Sequence, residues 1–174
     1  MHTDCQNQRG VTLVELLVVV AILGILGVVS GLFLMKYLPE YHLRSAVSAI
    51  AQNTRLAQSQ ALKGIRPWYL EFFVATQSYG IYDSGPDGIV DTADDLVIKS
   101  IKLANYGGGV RFNSGPSGEA VLTGLDSSRA IFVPEGTIPQ IGAIRIANNR
   151  NTTYRINFLR TGTVRSLKWE GIWK

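Results

Sequence analysis

The sequence predicts an α+β protein: a long N-terminal helix, membrane-spanning in its first half and amphipathic in its second, packed on a C-terminal antiparallel β-sheet or two-sheet β domain. Three observations predict it. An apolar run from Leu16 to Met35 holds no ionisable side chain, and about 20 such residues cross a hydrocarbon core of roughly 30 Å as a helix. Beyond it, Leu43, Val47, Ile50, Thr54, Ala57 and Ala61 recur at steps of four and three, the spacing of one helix face, while Arg44, Ser48, Gln52, Arg55, Ser59 and Lys63 fall elsewhere. From Trp68 onward, β-branched and aromatic runs alternate with Gly, Pro, Asn and Asp clusters, which is the pattern of short strands and turns.

In chain order, residues 1–9 are polar and carry no apolar region of their own, so they read as a processing leader outside the fold. A cleaved secretory signal has an apolar core of about 7–15 residues; here the core is longer, and Glu15 stands at its entrance. A carboxylate at that point is costly unless it stays wet near the interface, as in a plain single-pass anchor, or finds a partner. An unbroken helix over residues 11–63 would measure about 80 Å, with Ser30-Gly31 and Pro39 as candidate kinks and Gly64 as its C-terminal stop. Gly24 and Gly27 permit close helix approach but do not form a GxxxG pair. The expected organisation is therefore a leader at 1–10, a transmembrane half-helix at 11–35, an outer half-helix at 36–64 and a globular β domain at 65–174. Roughly 110 residues suffice for that domain to bury its own core.

The leader ending in Gly10, followed by Val11-Thr-Leu-Val-Glu15-Leu-Leu-Val-Val-Val-Ala-Ile-Leu-Gly-Ile-Leu, resembles the class III signal of type IV prepilins and pseudopilins. More narrowly, Asn53-x-x-Leu-Ala-x-Ser-x-Ala61 on the helix and the late Gly162-Thr-Val-Arg165 resemble the GspH/FimT branch of minor pilins and pseudopilins. The resemblance implies that a membrane-embedded prepilin peptidase cuts after Gly10 and methylates the new terminus at Val11, where many relatives have Phe. It also implies that Glu15 faces the terminal ammonium of a neighbouring subunit in a fibre. The physics agrees, because a desolvated ion pair robbed of one partner leaves an uncompensated charge. The implied protein is a structural subunit and not an enzyme, held in the bacterial inner membrane with its C-terminal domain extracytoplasmic. Its helix packs with other pilin or pseudopilin subunits in a type II secretion pseudopilus or its tip. The alternatives are a minor subunit of a type IV pilus serving priming, adhesion or DNA uptake, and a membrane-tethered binding domain that never polymerises. Charge alone does not orient the span, since Arg9 precedes it and Lys36 follows it.

Eight runs read as strands: residues 68–74, 78–82, 96–101, 109–112, 129–133, 143–146, 154–158 and 164–169. The sole cysteine, Cys5, lies in the leader, so the processed chain would carry no thiol or disulfide. His42 is the only histidine outside the leader, which leaves no material for Cys/His nucleophilic pairs or His-rich zinc sites. No Gly-rich phosphate loop opens a helix after a strand.

The formal net charge of +4 is unevenly spread. Asp83, Asp87, Asp91, Asp94 and Asp95 crowd one loop, and with Asp83 as position 1 the acids fall at 1, 5, 9 and 12, with Gly88 at 6 and the Ile89 carbonyl at 7. That shares much of the spacing of a calcium-binding EF loop, although Gly85 stands at position 3, Asp94 replaces the bidentate Glu and strands flank it. Ca²⁺ would relieve the repulsion among the carboxylates; the other reading is a solvated turn bent at Asp87-Gly88. No cofactor is otherwise required. At the other end, Arg145, Arg150, Arg155, Arg160, Arg165 and Lys168 interleave with Tyr154, Phe158 and Trp169, the ingredients of a DNA contact. Some FimT-type pilins bind DNA through a Gly-Arg-x-Arg element; Thr163 stands where its first arginine would be. Strand alternation offers the plainer reading that Arg145, Arg155 and Arg165 occupy solvent faces.

Overall fold

The computed structural model describes residues 11–174; the leader, with Cys5 and Gly10, lies outside the described residues. Helix α1 (Leu13–Gly64) is followed by β1 (Trp68–Phe73), β2 (Ser78–Asp83), β3 (Leu96–Lys102), β4 (Arg111–Phe112), β5 (Leu122–Thr123), β6 (Arg129–Phe132), β7 (Gly142–Ala147), β8 (Thr153–Phe158) and β9 (Val164–Lys168). Short 3-10 turns occupy Leu103–Tyr106 and Gly115–Ser117. The helix assignment continues through Ser30-Gly31 and Pro39. Two compact units divide the chain between Tyr37 and Leu38.

The first unit is helical from Leu13 and has every classified side chain exposed. Its sequence is long and apolar enough to cross a membrane. The second unit has its own core. The stripe expected from periodicity is buried throughout: Leu43, Ile50, Thr54, Ala57 and Ala61 are wholly covered, with Ala46 beside them and Val47 at 6% exposure. Thr54 satisfies its buried hydroxyl by donating to the Ile50 carbonyl at 2.8 Å.

The stripe shares one core with two antiparallel sheets. The first sheet runs β3-β2-β1-β6, and the second runs β4-β7-β8-β9 with β5 also on β7. All pairings are antiparallel. Leu70, Phe72, Tyr79 and Ile81 come from the first sheet, and Ile144, Ile146, Ile156 and Phe158 from the second. The Phe72 ring joins the two, lying 6.0 Å from Phe112 and 5.6 Å from Phe158, within the range where aromatic pairs attract. Edge strand β3 carries a bulge: Lys99 faces Ile81 and Val97 faces Tyr82, so Ile98 is the extra residue.

All eight predicted runs contain strands; β5 was not predicted. Residues 109–112 shorten to Arg111–Phe112 because Gly107, Gly108 and Gly109 all adopt positive φ and form a turn. Gly64 is the last helical residue, but the left-handed position expected of a glycine cap falls on Ile65 at φ 54°.

Polar contacts tie the helix to the sheets. Asn53 Nδ2 donates to Tyr79 Oη at 2.8 Å, and Gln58 Nε2 donates to the carbonyls of Gly136 at 2.7 Å and Thr161 at 3.2 Å. Lys168 Nζ donates to Glu40 Oε1 at 2.8 Å, fixing β9 to α1 and holding the Glu40 carboxyl below its ordinary range. At Gly162, φ is 77° and a Cβ would meet the Gly136 carbonyl and the Gln58 amide at 2.2 Å, so only glycine fits.

Two stability predictions follow from this packing. Leu43→Ala should cost about 2–5 kcal/mol, whereas Leu56→Ala, at a position 40% exposed, should cost less than about 1 kcal/mol; denaturation of the full-length chain in detergent measures both, and equal losses would contradict the burial pattern. Ile65→Gly should stabilise by roughly 0.5–1 kcal/mol, because relief of a β-branched residue at positive φ outweighs the added freedom of the unfolded chain. A lower melting temperature for that variant would contradict the cap geometry.

Candidate functional site

The start of α1 is set by Thr12. Its Oγ1 accepts the Glu15 backbone N–H at 3.2 Å, and its carbonyl accepts the Leu16 N–H, the arrangement of a helix N-cap. Thr12-x-x-Glu15 has the spacing of a capping box, a signal the sequence reading passed over. Only the hydroxyl half of that box is made, so among the described residues the Glu15 carboxylate has no hydrogen-bond partner. Val11 is 71% exposed. Thr12 thus places the Glu15 carboxylate and the Val11 nitrogen at the same helix end. Gly10 lies outside the described residues.

The acidic loop is held by donors from its own chain. Asp83, 2% exposed, accepts from Arg66 at 2.6 Å and from the Gly85 N–H at 3.3 Å. Asp91 pairs with Arg129 at 2.9 Å, and Arg129 also pairs with Glu71 at 3.0 Å. Asp95 accepts from the Tyr69 hydroxyl at 2.5 Å and from the Asp91 N–H at 2.8 Å. Burial, and then this bond to a carboxylate, raise the Tyr69 pKa well above its ordinary value, which keeps the phenol a donor. Asp87 accepts the Ile89 N–H at 2.8 Å; Asp94 accepts the Thr92 hydroxyl at 2.6 Å and the Asp87 N–H at 3.4 Å. Donation from Thr92 is the main reason the Asp94 carboxyl sits below its ordinary range. The Ile89 carbonyl lies 3.1 Å from the same Thr92 hydroxyl, whose single proton goes to the nearer Asp94.

Asp83 and Asp91 turn to arginines from outside the loop, while Asp94 and Asp95 both approach the Thr92 hydroxyl, at 2.6 and 3.2 Å. Among the described residues no group of three or more His, Cys, Asp or Glu side chains is arranged to hold a metal. The calcium reading of the spacing therefore requires an arrangement of these side chains other than the one seen here. Arg66 and Arg129, outside the loop in sequence, supply the positive charge a cation would bring.

The basic end is also largely paired. Arg145 and Arg155 lie opposite each other on β7 and β8. Arg145 is 3% exposed, not solvent-facing as strand alternation predicts. Its guanidinium donates to the Ala120 carbonyl and pairs with Glu119, while Arg155 approaches Glu119 at 3.6 Å. The Trp173 ring covers both, 5.7 Å from the Arg145 guanidinium and 4.7 Å from that of Arg155, distances at which a cation is drawn to an indole face. Trp173 Nε1 donates to Glu119 at 3.0 Å; that bond, followed by the two arginines, holds the Glu119 carboxyl below its ordinary range. Sequence spacing hides this cluster because Glu119 and Trp173 are far from the arginines along the chain.

Of the proposed DNA contacts, Arg155 is thus engaged with Glu119 and Trp173, and Lys168 with Glu40, while Arg160 and Arg165 are exposed. Phe158 is 1% exposed and packs in the core, so it offers no face for base stacking.

Residues 5–31 match the family described as the prokaryotic N-terminal methylation motif. No curated protein matches the chain by sequence. Among solved structures, the chain is similar to the type IV minor pilin FimU of Pseudomonas aeruginosa strain PAO1 at 14% identity, covering 78% of this chain and 94% of that one, with a TM-score of 0.49. It is also similar to the minor pseudopilin EpsH from the type 2 secretion system of Vibrio cholerae at 14% identity, covering 73% of this chain and 97% of that one, with a TM-score of 0.44.

The acidic loop gives a direct prediction. Calcium or chelator should leave the melting temperature of the full-length chain unchanged, and Arg129→Gln should lower it. A calcium-dependent rise that is lost in Asp87→Asn would show instead that the loop closes on the ion.

Proposed function

We propose that the chain is a structural subunit of the minor pilin and pseudopilin class, matured at its N-terminus and assembled through α1. One observation carries the reading: the methylation motif over residues 5–31 enters a helix whose apolar start is exposed and whose first turn holds a carboxylate with no partner among the described residues. In the uncut chain the Val11 nitrogen belongs to a peptide bond. Hydrolysis after Gly10 by prepilin peptidase frees it as an ammonium, which stays cationic when N-methylated, next to Glu15.

Thr12 accepts the Glu15 backbone N–H and leaves the carboxylate without a partner among the described residues. In an apolar surrounding that charge needs a cation. A neighbouring subunit supplies one in its own Val11 terminus, and the pair sets the stagger between adjacent helices. The first unit of the chain anchors the protein in the bacterial inner membrane before assembly, and the β domain stays on the extracytoplasmic side. We favour a type II secretion pseudopilus as the fibre, with a type IV pilus as the alternative; DNA is a weaker candidate partner, because Arg155 and Lys168 are already engaged within the chain.

Mass spectrometry of the protein from its native membrane should find a chain beginning at a methylated Val11. An uncut Met1, or cleavage near Ser30, would overturn the maturation. Glu15→Ala should leave that cleavage intact and abolish recovery of the subunit in sheared or cross-linked fibres; normal recovery would favour a non-polymerising tethered domain. Deletion of the gene should stop export of secreted enzymes if the fibre is a pseudopilus, or surface piliation if it is a pilus.

A further inference from the structure

The outer face of the second sheet carries a charge imbalance that neither maturation nor fibre assembly uses. Arg145 and Arg155 stand directly opposite each other on β7 and β8, and like charges so placed destabilise a sheet. Arg145 is 3% exposed and the Arg155 side chain 23%, yet the two share a single carboxylate, Glu119. The Nε–H groups of both arginines are buried and have no hydrogen-bond partner among the described residues. A guanidinium withdrawn from water without full pairing is costly. Beside the pair lies a cleft of about 370 Å³, to which Arg145, Arg155, Asn157 and Thr123 contribute polar walls and Ile141 and Leu159 apolar ones.

We propose that this cleft is a carboxylate-binding site, taking one monocarboxylate whose head meets Arg155 and Arg145 and whose apolar body lies against Ile141 and Leu159. The charge count favours a single negative charge: two guanidiniums against Glu119 leave one cation uncompensated. The planar fork of a guanidinium matches a carboxylate in two parallel hydrogen bonds, and the apolar walls favour an organic acid over a bare inorganic ion. The source is either a free small acid or an acidic side chain of a partner protein, which present the same chemistry. The inference stands independently of the fibre assignment.

The test uses the full-length chain in detergent, with isovalerate as probe, isovaleramide as its neutral isostere and inorganic phosphate as competitor. Trp173 lies on both guanidiniums, so its fluorescence reports occupancy alongside calorimetry. The expected result is saturable binding of isovalerate, none of isovaleramide, and weakening by about tenfold or more in Arg155→Gln. Arg155→Lys keeps the charge without the fork; it should melt like the parent and still bind poorly. Absence of saturable binding, equal binding of isovaleramide or phosphate, or undiminished binding by Arg155→Gln would overturn the proposal. A blocked peptide Leu-Gly-Glu-Gly-Leu, compared with its Gln counterpart, separates the sources. Tighter binding of the Glu peptide than of isovalerate assigns a partner's side chain; the reverse order assigns a free acid; failure of both sinks the site.

Discussion

Everything in the second unit depends on a helix face made mostly of small residues. Ala46, Ala57 and Ala61, with Thr54, let the sheet side chains come close to the α1 backbone, while Leu43, Val47 and Ile50 fill the wider gap nearer its start. Small residues lose little rotamer freedom on burial, so the seam costs little entropy for the backbone contact it permits. Position along the seam is then fixed by polar contacts at separate heights: Glu40 to β9, Asn53 to β2, and Gln58 to the turns around Gly136 and Gly162. Among the motif residues that carry the resemblance to one branch of minor subunits, Leu56 is exposed, whereas Asn53, Ala57, Ala61 and Gly162 stand at this seam. In this chain they serve docking of the helix.

Much of the fold was legible in the sequence, for a physical reason. Period-four-and-three burial and strand alternation are local consequences of backbone geometry, and every stripe residue named from spacing is buried. What was not legible depended on distant partners. β5 is two residues long and exists because β7 offers it an edge. Arg145 reads as solvent-facing until Glu119 and Trp173 close over it. The acids of the loop keep the spacing of a calcium ligand set, but Arg66 and Arg129 reach in from outside it. Spacing reports which groups are near along the chain and says nothing of cations brought by the fold. The N-cap at Thr12 is the opposite case, a local signal in plain view beside a more conspicuous motif.

Charge is handled differently in the two units. In the second unit, acids and bases that look segregated along the chain are interleaved in space, since Arg129 joins the acidic loop and Glu40 and Glu119 join the basic end. Pairs of this kind, partly shielded from water, contribute more than exposed ones and depend less on salt. In the first unit, Glu15 has no such recourse among the described residues. The contrast is what the proposed pairing of Glu15 with a neighbouring terminus rests on.

The bulge in β3 bears on storage. Leu96, Val97 and Ile98 are exposed at 53%, 61% and 46% on an open sheet edge, a composition that invites strand-to-strand aggregation. Ile98, as the extra residue, breaks the two-residue alternation in the middle of that stretch, and Lys99 and Lys102 add charge immediately beyond it. An incoming strand therefore loses register after a few residues and meets like charge if it comes from another copy. Such an edge resists polymerisation through the sheets even at high local density.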